Sequence, residues 1–178
     1  MIMIEKTISK NEVYKGSVLR FEVDTVELED GTVATRELVR HPGGVGVVAI
    51  DSDGMVYMVE QFRKPYEEVI LEIPAGKLDP GEAPEVCGLR ELKEETGLVA
   101  SELISLGMFY PSVGYTDERL HLFLAKDFTC GEASPDEDEF VDVKKVHIND
   151  LVAGVMSGSI KDGKTIAAIL KTKMYMNI

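Results

Sequence analysis

Three glutamates, Glu91, Glu94 and Glu95, carry the chemistry most directly legible in this chain. Placed on a helix at ~100° per residue they are related by i, i+3 and i+4, so their carboxylates share one face. Three like charges in that arrangement mildly destabilise an isolated helix. A hard cation reverses the sign, because Mg²⁺ or Mn²⁺ prefers carboxylate oxygens and keeps waters and substrate phosphates as its other ligands. The plain alternative is a solvated acidic face balanced by Arg90 and Lys93. The surroundings favour the cation. Gly76 and Gly81 permit a tight loop beside the helix start, and Glu82 can reach Arg90 as an orienting pair. Pro74-Ala75 adds a backbone carbonyl next to the glutamates, a further oxygen that a hard metal accepts.

The charge of the whole chain tells the same story by its distribution. Its 178 residues include 19 Lys+Arg and 32 Asp+Glu, a formal charge of −13. Residues 67–95 hold nine acids and three bases, and residues 132–142 hold six acids and no base, so these two stretches carry −12 of it. A duplex-DNA binder or an anionic-membrane binder needs a basic footprint, and the acid excess argues against both. Small phosphorylated ligands remain compatible, since a divalent cation can stand between carboxylates and phosphates.

The elements that must position these groups follow from apolar patterning and turn signals. The first forty residues read as strands, with a hairpin turn at Glu29-Asp30-Gly31 and a return strand over 33–39. His41-Pro42-Gly43-Gly44 breaks the pattern and marks a boundary between an N-terminal β unit, 1–42, and a main domain, 43–178. Strands are expected at 45–50 and 55–62, paired antiparallel across Asp51-Ser52-Asp53-Gly54, and at 69–73. A helix covers 84–96, with Pro84 in its first turn and Gly97 as its stop; Val86, Leu89 and Leu92 should face the core. Strands follow at 102–110, 119–125 and 140–148, then a helix over 151–156 capped by Asn149, and a last helix over 165–174. Short, mostly antiparallel strands with a few helices predict an α+β or mixed α/β sandwich.

Several other features resolve into ordinary roles. Cys87 and Cys130 fit no metal-ligand spacing and read as buried free thiols in a reducing cytosol. The start lacks a basic n-region followed by an apolar run, and no 18-residue apolar stretch occurs, so a cytoplasmic protein is expected. Gly44-Val45-Gly46-Val47-Val48-Ala49 superficially suits a dinucleotide fingerprint but precedes a strand instead of joining strand to helix. His41, His121 and His147 show no transition-metal spacing, and the methionines form no helical stripe.

The spacing around the glutamates resembles a complete Nudix box. Gly76, five residues, Glu82, seven residues, Arg90-Glu91-Leu92, one residue, Glu94-Glu95, one residue and Gly97-Leu98 fill every fixed position of that 23-residue motif. The resemblance extends to the ADP-ribose pyrophosphatase branch through Ala34-Thr35-Arg36-Glu37, His41-Pro42-Gly43, Val59-Glu60-Gln61-Phe62-Arg63 and Glu72-Ile73-Pro74-Ala75-Gly76. Phe109-Tyr110, Gly114-Tyr115-Thr116-Asp117-Glu118 and Asp136-Glu137-Asp138-Glu139-Phe140 are similar as well, so it runs from about Tyr14 to Leu170. It implies an α/β/α sandwich with a mixed sheet and an N-terminal antiparallel β-hairpin unit. The implied activity is Mg²⁺-dependent (Mn²⁺ as the alternative) hydrolysis of ADP-ribose to AMP and ribose 5-phosphate. Val113 stands where the branch usually has a proline before the loop glycine, with Pro111 nearby. Another nucleoside diphosphate sugar or a nucleoside triphosphate is therefore the alternative substrate, and a non-catalytic nucleotide sensor the more distant one.

Carried over residue by residue, the resemblance implies that Glu91 and Glu95 are the main metal ligands, with the Ala75 carbonyl completing the shell and Glu94 supporting catalysis. Arg90 holds the loop glutamate. In the acidic run, Glu137 would be the general base and Glu139 an additional metal ligand; the two can exchange roles, and Glu118 is a third candidate. Arg36, Glu37, Arg63, Lys77, Gly114 and Glu118 would contact the substrate, with Arg63 suited to a diphosphate because a guanidinium makes paired hydrogen bonds to phosphate oxygens. Ser17 and Val18 would border the nucleobase. The N-terminal unit in this branch commonly exchanges between subunits, which implies a homodimer acting on a small nucleoside diphosphate sugar.

Overall fold

A computed structural model describes residues 4–134 and 140–178, and the chain divides into two compact units. The first comprises Met1–Gly43 and Tyr110–Arg119. Its strands β1 (Lys6–Lys15), β2 (Arg20–Glu27) and β3 (Val33–Arg40) form one antiparallel sheet in that order, so the expected hairpin carries a third strand. The turn between β2 and β3 closes because Asp30 accepts from both the amide and the hydroxyl of Thr32 (3.0 and 2.6 Å). The segment 110–119 docks on the end of β3: the Val39 amide donates to the Tyr115 carbonyl at 2.7 Å, and the Asp117 amide to the Val39 carbonyl at 3.2 Å.

The second unit, Gly44–Phe109 and Leu120–Ile178, is built on a seven-stranded mixed sheet. Its centre is β4 (Gly44–Ile50), buried at every position. It runs parallel to β10 (Leu120–Ala125) and antiparallel to β5 (Met55–Arg63) and to the short β7 (Ala75–Lys77). Beyond these lie β6 (Glu68–Glu72) and β12 (Asp142–His147) on β5, and β9 (Ile104–Phe109) on β10. Two further short strands, β8 (Leu98–Ala100) and β11 (Phe128–Cys130), pair with each other. The sequence pattern passes over β7, β8 and β11 because three residues are too few to show a period of two.

An unbroken apolar strand is the signature of a sheet covered on both faces, and β4 shows how. Val45, Val47 and Ala49 pack with Cys87 and Leu92 of α1 (Pro84–Thr96). Val48 and Ile50 pack with Ile148 and Leu151 of α2 (Ile148–Ser157) and Ile169 of α3 (Gly163–Met176). One helix on one face and two on the other make an α/β/α sandwich. No helix among the described residues is long and apolar enough to cross a membrane.

The bounds of α1 match the sequence signals. Pro84 occupies the first turn, and Gly97 ends the helix in the left-handed region (φ 73°), its amide donating to the Lys93 carbonyl at 2.8 Å. Three expectations are corrected. Val86 is 57% exposed, because the buried stripe runs through Cys87, Gly88, Glu91, Leu92 and Glu95 instead. Asn149 does not cap α2: that helix begins at Ile148, and the His147 ring accepts from the Asn149 amide at 3.2 Å. Cys87 is buried, but Cys130 is exposed on β11, an edge the core does not cover.

Gly97 offers a direct test of this architecture. A Cβ there would stand 2.7 Å from the Gly131 carbonyl oxygen, and the left-handed backbone alone costs about 1–2 kcal/mol for other residues. Gly97→Ala should lose at least that much stability by urea denaturation; a variant as stable as the parent would overturn the account.

Candidate metal and diphosphate site

The buried stripe of α1 places Glu91 and Glu95 one turn apart, 9% and 2% exposed, where an amphipathic helix normally carries leucines. They face β7, whose register with β4 pairs Gly76 with Val45 and Ala75 with Gly46. The two contacts differ. Glu95 accepts from the Ala75 amide at 2.9 Å and from the side chain of buried Gln61 on β5 at 3.2 Å. Glu91 lies against Gly76 so closely that a Cβ on that glycine would stand 1.8 Å from the carboxyl carbon. The missing side chain at 76 makes the space the carboxylate uses.

Buried carboxylates need compensation; Ala75 and Gln61 give it to Glu95, and Arg90 gives it to Glu91. Its Nε and Nη2 each bond one oxygen of Glu82, both at 3.0 Å, in the fork geometry expected of the orienting pair. Its Nη1 reaches Glu91 at 2.8 Å and Glu94 at 2.9 Å, so Arg90 balances the acidic face as well as holding the loop glutamate. Glu82 also accepts from the Asp79 amide at 3.1 Å, closing the loop that precedes the helix. The Arg90 bond drives the Glu82 carboxyl down to about 2, against a smaller opposing effect of burial. Arg90 is itself held protonated by Glu82 first, and by Glu91 and Glu94. Burial, with the Glu82 charge adding to it, pushes the Cys87 thiol up to about 12, so this cysteine is an inert core residue.

Among the described residues no set of three or more His, Cys, Asp or Glu side chains converges as a ready-made metal site. The donor set nevertheless fits a hard divalent cation. Carboxylate oxygens of Glu91, Glu94 and Glu95 line one helix face beside a loop left open at Gly76. Arg90 Nη1 already occupies that face with positive charge, while Glu82 holds the other edge of the guanidinium.

A second group of charges surrounds Arg63 at the end of β5. Its Nε and Nη2 bond Glu72 Oε1 and Oε2 at 2.6 and 2.8 Å. Lys164, in the first turn of α3, ion-pairs with the same carboxylate. Burial opposes ionisation of Glu72, which is 2% exposed, but its bonds to Arg63 and Lys164 outweigh this and hold the carboxyl below its usual range. A cavity of about 360 Å³ adjoins the group, with Arg63, Tyr66, Ile70 and Lys164 in its wall.

The remaining expected residues are placed as follows. Lys77 ends β7 with its side chain exposed, and its carbonyl accepts from Arg90 Nη2 at 3.3 Å. Arg36, Glu37, Gly114 and Glu118 belong to the first unit: Arg36 is paired with Glu5, Glu37 is exposed on β3, Gly114 is in an exposed turn, and the Glu118 amide donates to Thr116 Oγ1 at 3.1 Å. Glu137 and Glu139 lie outside the described residues. The acidic run starts from a fixed point, because the Ser134 amide donates to the Glu94 carbonyl at 2.9 Å and the Gly131 amide to the Gly97 carbonyl at 2.7 Å. Sequence reasoning missed Gln61, Glu72 and Lys164 as members of these networks. The available signal was a polar residue adjoining an apolar run, at Gln61 in β5 and at Glu72, the last residue of β6.

Comparison with known proteins decides the family. The NUDIX domain matches residues 40–168, most of the chain and all of the box. The chain belongs to the Nudix family. This Nudix hydrolase is 47% identical over 167 residues to an ADP-ribose pyrophosphatase of Bacillus subtilis (strain 168), covering 93% of this chain and 90% of that one. It is 45% identical, with the same coverage, to a methanol dehydrogenase activator of Bacillus methanolicus. Among solved structures, an ADP compounds hydrolase superposes with a TM-score of 0.87 at 18% identity, over 99% of this chain and 96% of that one, which establishes the shared fold.

The low Glu82 value sets a pH dependence. A carboxyl depressed from 4.5 to about 2 contributes stability that is fully present above pH ~4.5 and is lost as pH falls through ~2. Wild type should therefore melt above Glu82→Gln at pH 7, with the gap closing between those limits. A gap that is constant with pH would show that the Arg90 bond does not stabilise the ionised form.

Proposed function

We propose that this Nudix hydrolase cleaves the diphosphate of ADP-ribose with Mg²⁺, releasing AMP and ribose 5-phosphate. The observation that carries the reading is the 47% identity over nearly the full length to the Bacillus subtilis ADP-ribose pyrophosphatase, in a chain whose box carboxylates are all present. Glu91 and Glu95, with the Ala75 carbonyl, would hold the metal, and Glu94 would support them. When bound, the cation supplies charge neutralisation at the diphosphate and acidifies a water.

The chain's own groups do the rest. The bonds from Ala75 and Gln61 hold both oxygens of Glu95, so part of its free energy of ordering is spent before substrate arrives. Arg63 would bind diphosphate oxygens, and Lys77, Arg36, Glu37, Gly114 and Glu118 would contact the remainder of the substrate. Glu137 would take the proton of the attacking water and Glu139 would add a metal ligand. Ser134, three positions before Glu137 in the sequence, is bonded to the helix of carboxylates. That tether supports a base delivered from this loop.

The domain of action is a homodimer in the cytoplasm, assembled through the N-terminal unit. Support comes from β1, which is exposed along its whole length and carries Ile8, Val13 and Tyr14 at the surface, and from free thiols suited to a reducing compartment. A second reading, action on a dehydrogenase partner, follows from the 45% identity to the Bacillus methanolicus activator. Assay of a dehydrogenase with and without this chain addresses it.

A panel of ADP-ribose, GDP-mannose, NADH and 8-oxo-dGTP with Mg²⁺ tests the substrate, with ADP-ribose expected to give the highest kcat/KM. Glu95→Gln keeps the shape of the side chain and should lower turnover by more than the ~10–100-fold typical of losing an outer-sphere partner, with its melting curve preserved. Near-normal turnover in that variant would sink the metal-site assignment.

A further inference from the structure

A carboxylate that takes Nε and one Nη in parallel fixes the plane of a guanidinium, and Glu72 does this to Arg63. Two of the five N–H donors are thereby committed, and planarity turns the other three away from Glu72. The direction in which Arg63 presents those donors is therefore set by whatever sets Glu72.

Glu72 is set by the first turn of α3. Lys164, itself largely buried, pairs with Glu72 and stands 3.0 Å from Asp162 Oδ2. Asp162 is the N-cap of α3, and its Oδ2 accepts from the Thr165 amide at 3.0 Å and the Thr165 hydroxyl at 2.6 Å. Thr165 is fully buried, and its hydroxyl oxygen accepts from the amide of Ile73 at 2.9 Å. The bonds thus return to the residue beside Glu72. Side chain and backbone of the 72–73 step are both gripped by residues 162–165.

Taken singly these groups look structural: Arg63, Lys164, Glu72 and Asp162 sum to zero charge, so a simple cationic patch is not what they make. Orientation is what the arrangement supplies. A lone Arg63–Glu72 pair can swing as a unit about the side-chain torsions of Glu72, and the additional bond from Lys164 to Glu72 Oε2 opposes that swing.

We propose that Glu72 and Lys164 are positioning residues for substrate binding, through which the N-terminal turn of α3 aims Arg63 at the diphosphate of the nucleotide. The proposal rests on the reading of Arg63 as a diphosphate ligand. It assigns to the last helix a part in recognition that its distance along the chain from the box conceals.

Steady-state kinetics on ADP-ribose with Mg²⁺ tests this in a double-mutant cycle of wild type, Lys164→Met, Arg63→Ala and the double variant, with Lys164→Arg as the conservative control. Lys164→Met should raise KM about five-fold or more while kcat stays within about two-fold, as for lost uniform binding, and thermal melts should show a folded protein. Lys164→Arg should recover most of the loss. In the Arg63→Ala background, Lys164→Met should add nothing further. The same KM increase in both backgrounds, or an unchanged KM in Lys164→Met, overturns the relay while leaving Arg63 as a ligand. A wild-type KM in Arg63→Ala removes instead the reading on which the relay rests. If Lys164→Met does not fold, Lys164→Gln, which keeps a donor without the charge, carries the same comparison.

Discussion

The guanidinium of Arg90 is the interaction on which the carboxylate face depends. Burying Glu91 and Glu95 on the sheet-facing stripe of α1 puts negative charge where a helix ordinarily buries hydrocarbon, at a desolvation cost of several kcal/mol per uncompensated ion. Arg90 addresses Glu91 and Glu94 with one nitrogen and Glu82 with the opposite edge, so one side chain offsets three acids and ties the 79–82 turn to the helix. The helix can then present oxygens to a cation without relying on that cation to fold.

The sheet explains why these carboxylates stand where they do. β4 is covered on both faces, and its pairing with β7 brings the Ala75–Gly76 backbone under α1. The same sheet holds β5, from which Gln61 reaches Glu95 and Arg63 meets Glu72. Two polar networks that meet at β5 are thus fixed by a core that is otherwise hydrocarbon.

Much of this was legible in the sequence because it rests on local rules. Pro84 and Gly97 bound α1 to the residue, and the i, i+3, i+4 spacing puts the three glutamates on one side. The fork between Glu82 and Arg90 was readable from the loop spacing. What escaped depends on tertiary contact. Periodicity cannot show that Val86 faces solvent when glutamates take the buried stripe, since hydrophobicity alone assigns that stripe to the apolar residues. The cap of α2 went to His147 because an imidazole nitrogen can accept the bond usually given to Asn or Ser. Glu72 and Lys164 are ninety-two positions apart, and no rule of spacing links them.

The grip of α3 on the 72–73 step has a consequence for how the protein is made. Residues 76–98 hold the complete box, yet the strand leading into it is secured by Lys164 and Thr165, which leave the ribosome far later. A nascent chain that stops short of Asp162 has every carboxylate of the motif and lacks the bonds that hold Glu72 and Ile73. Contacts this far apart in sequence pay loop-closure entropy before they return any stability. The bonds that hold the 72–73 step therefore close only after every residue of the box has been made, and the docking of α3 is what completes them.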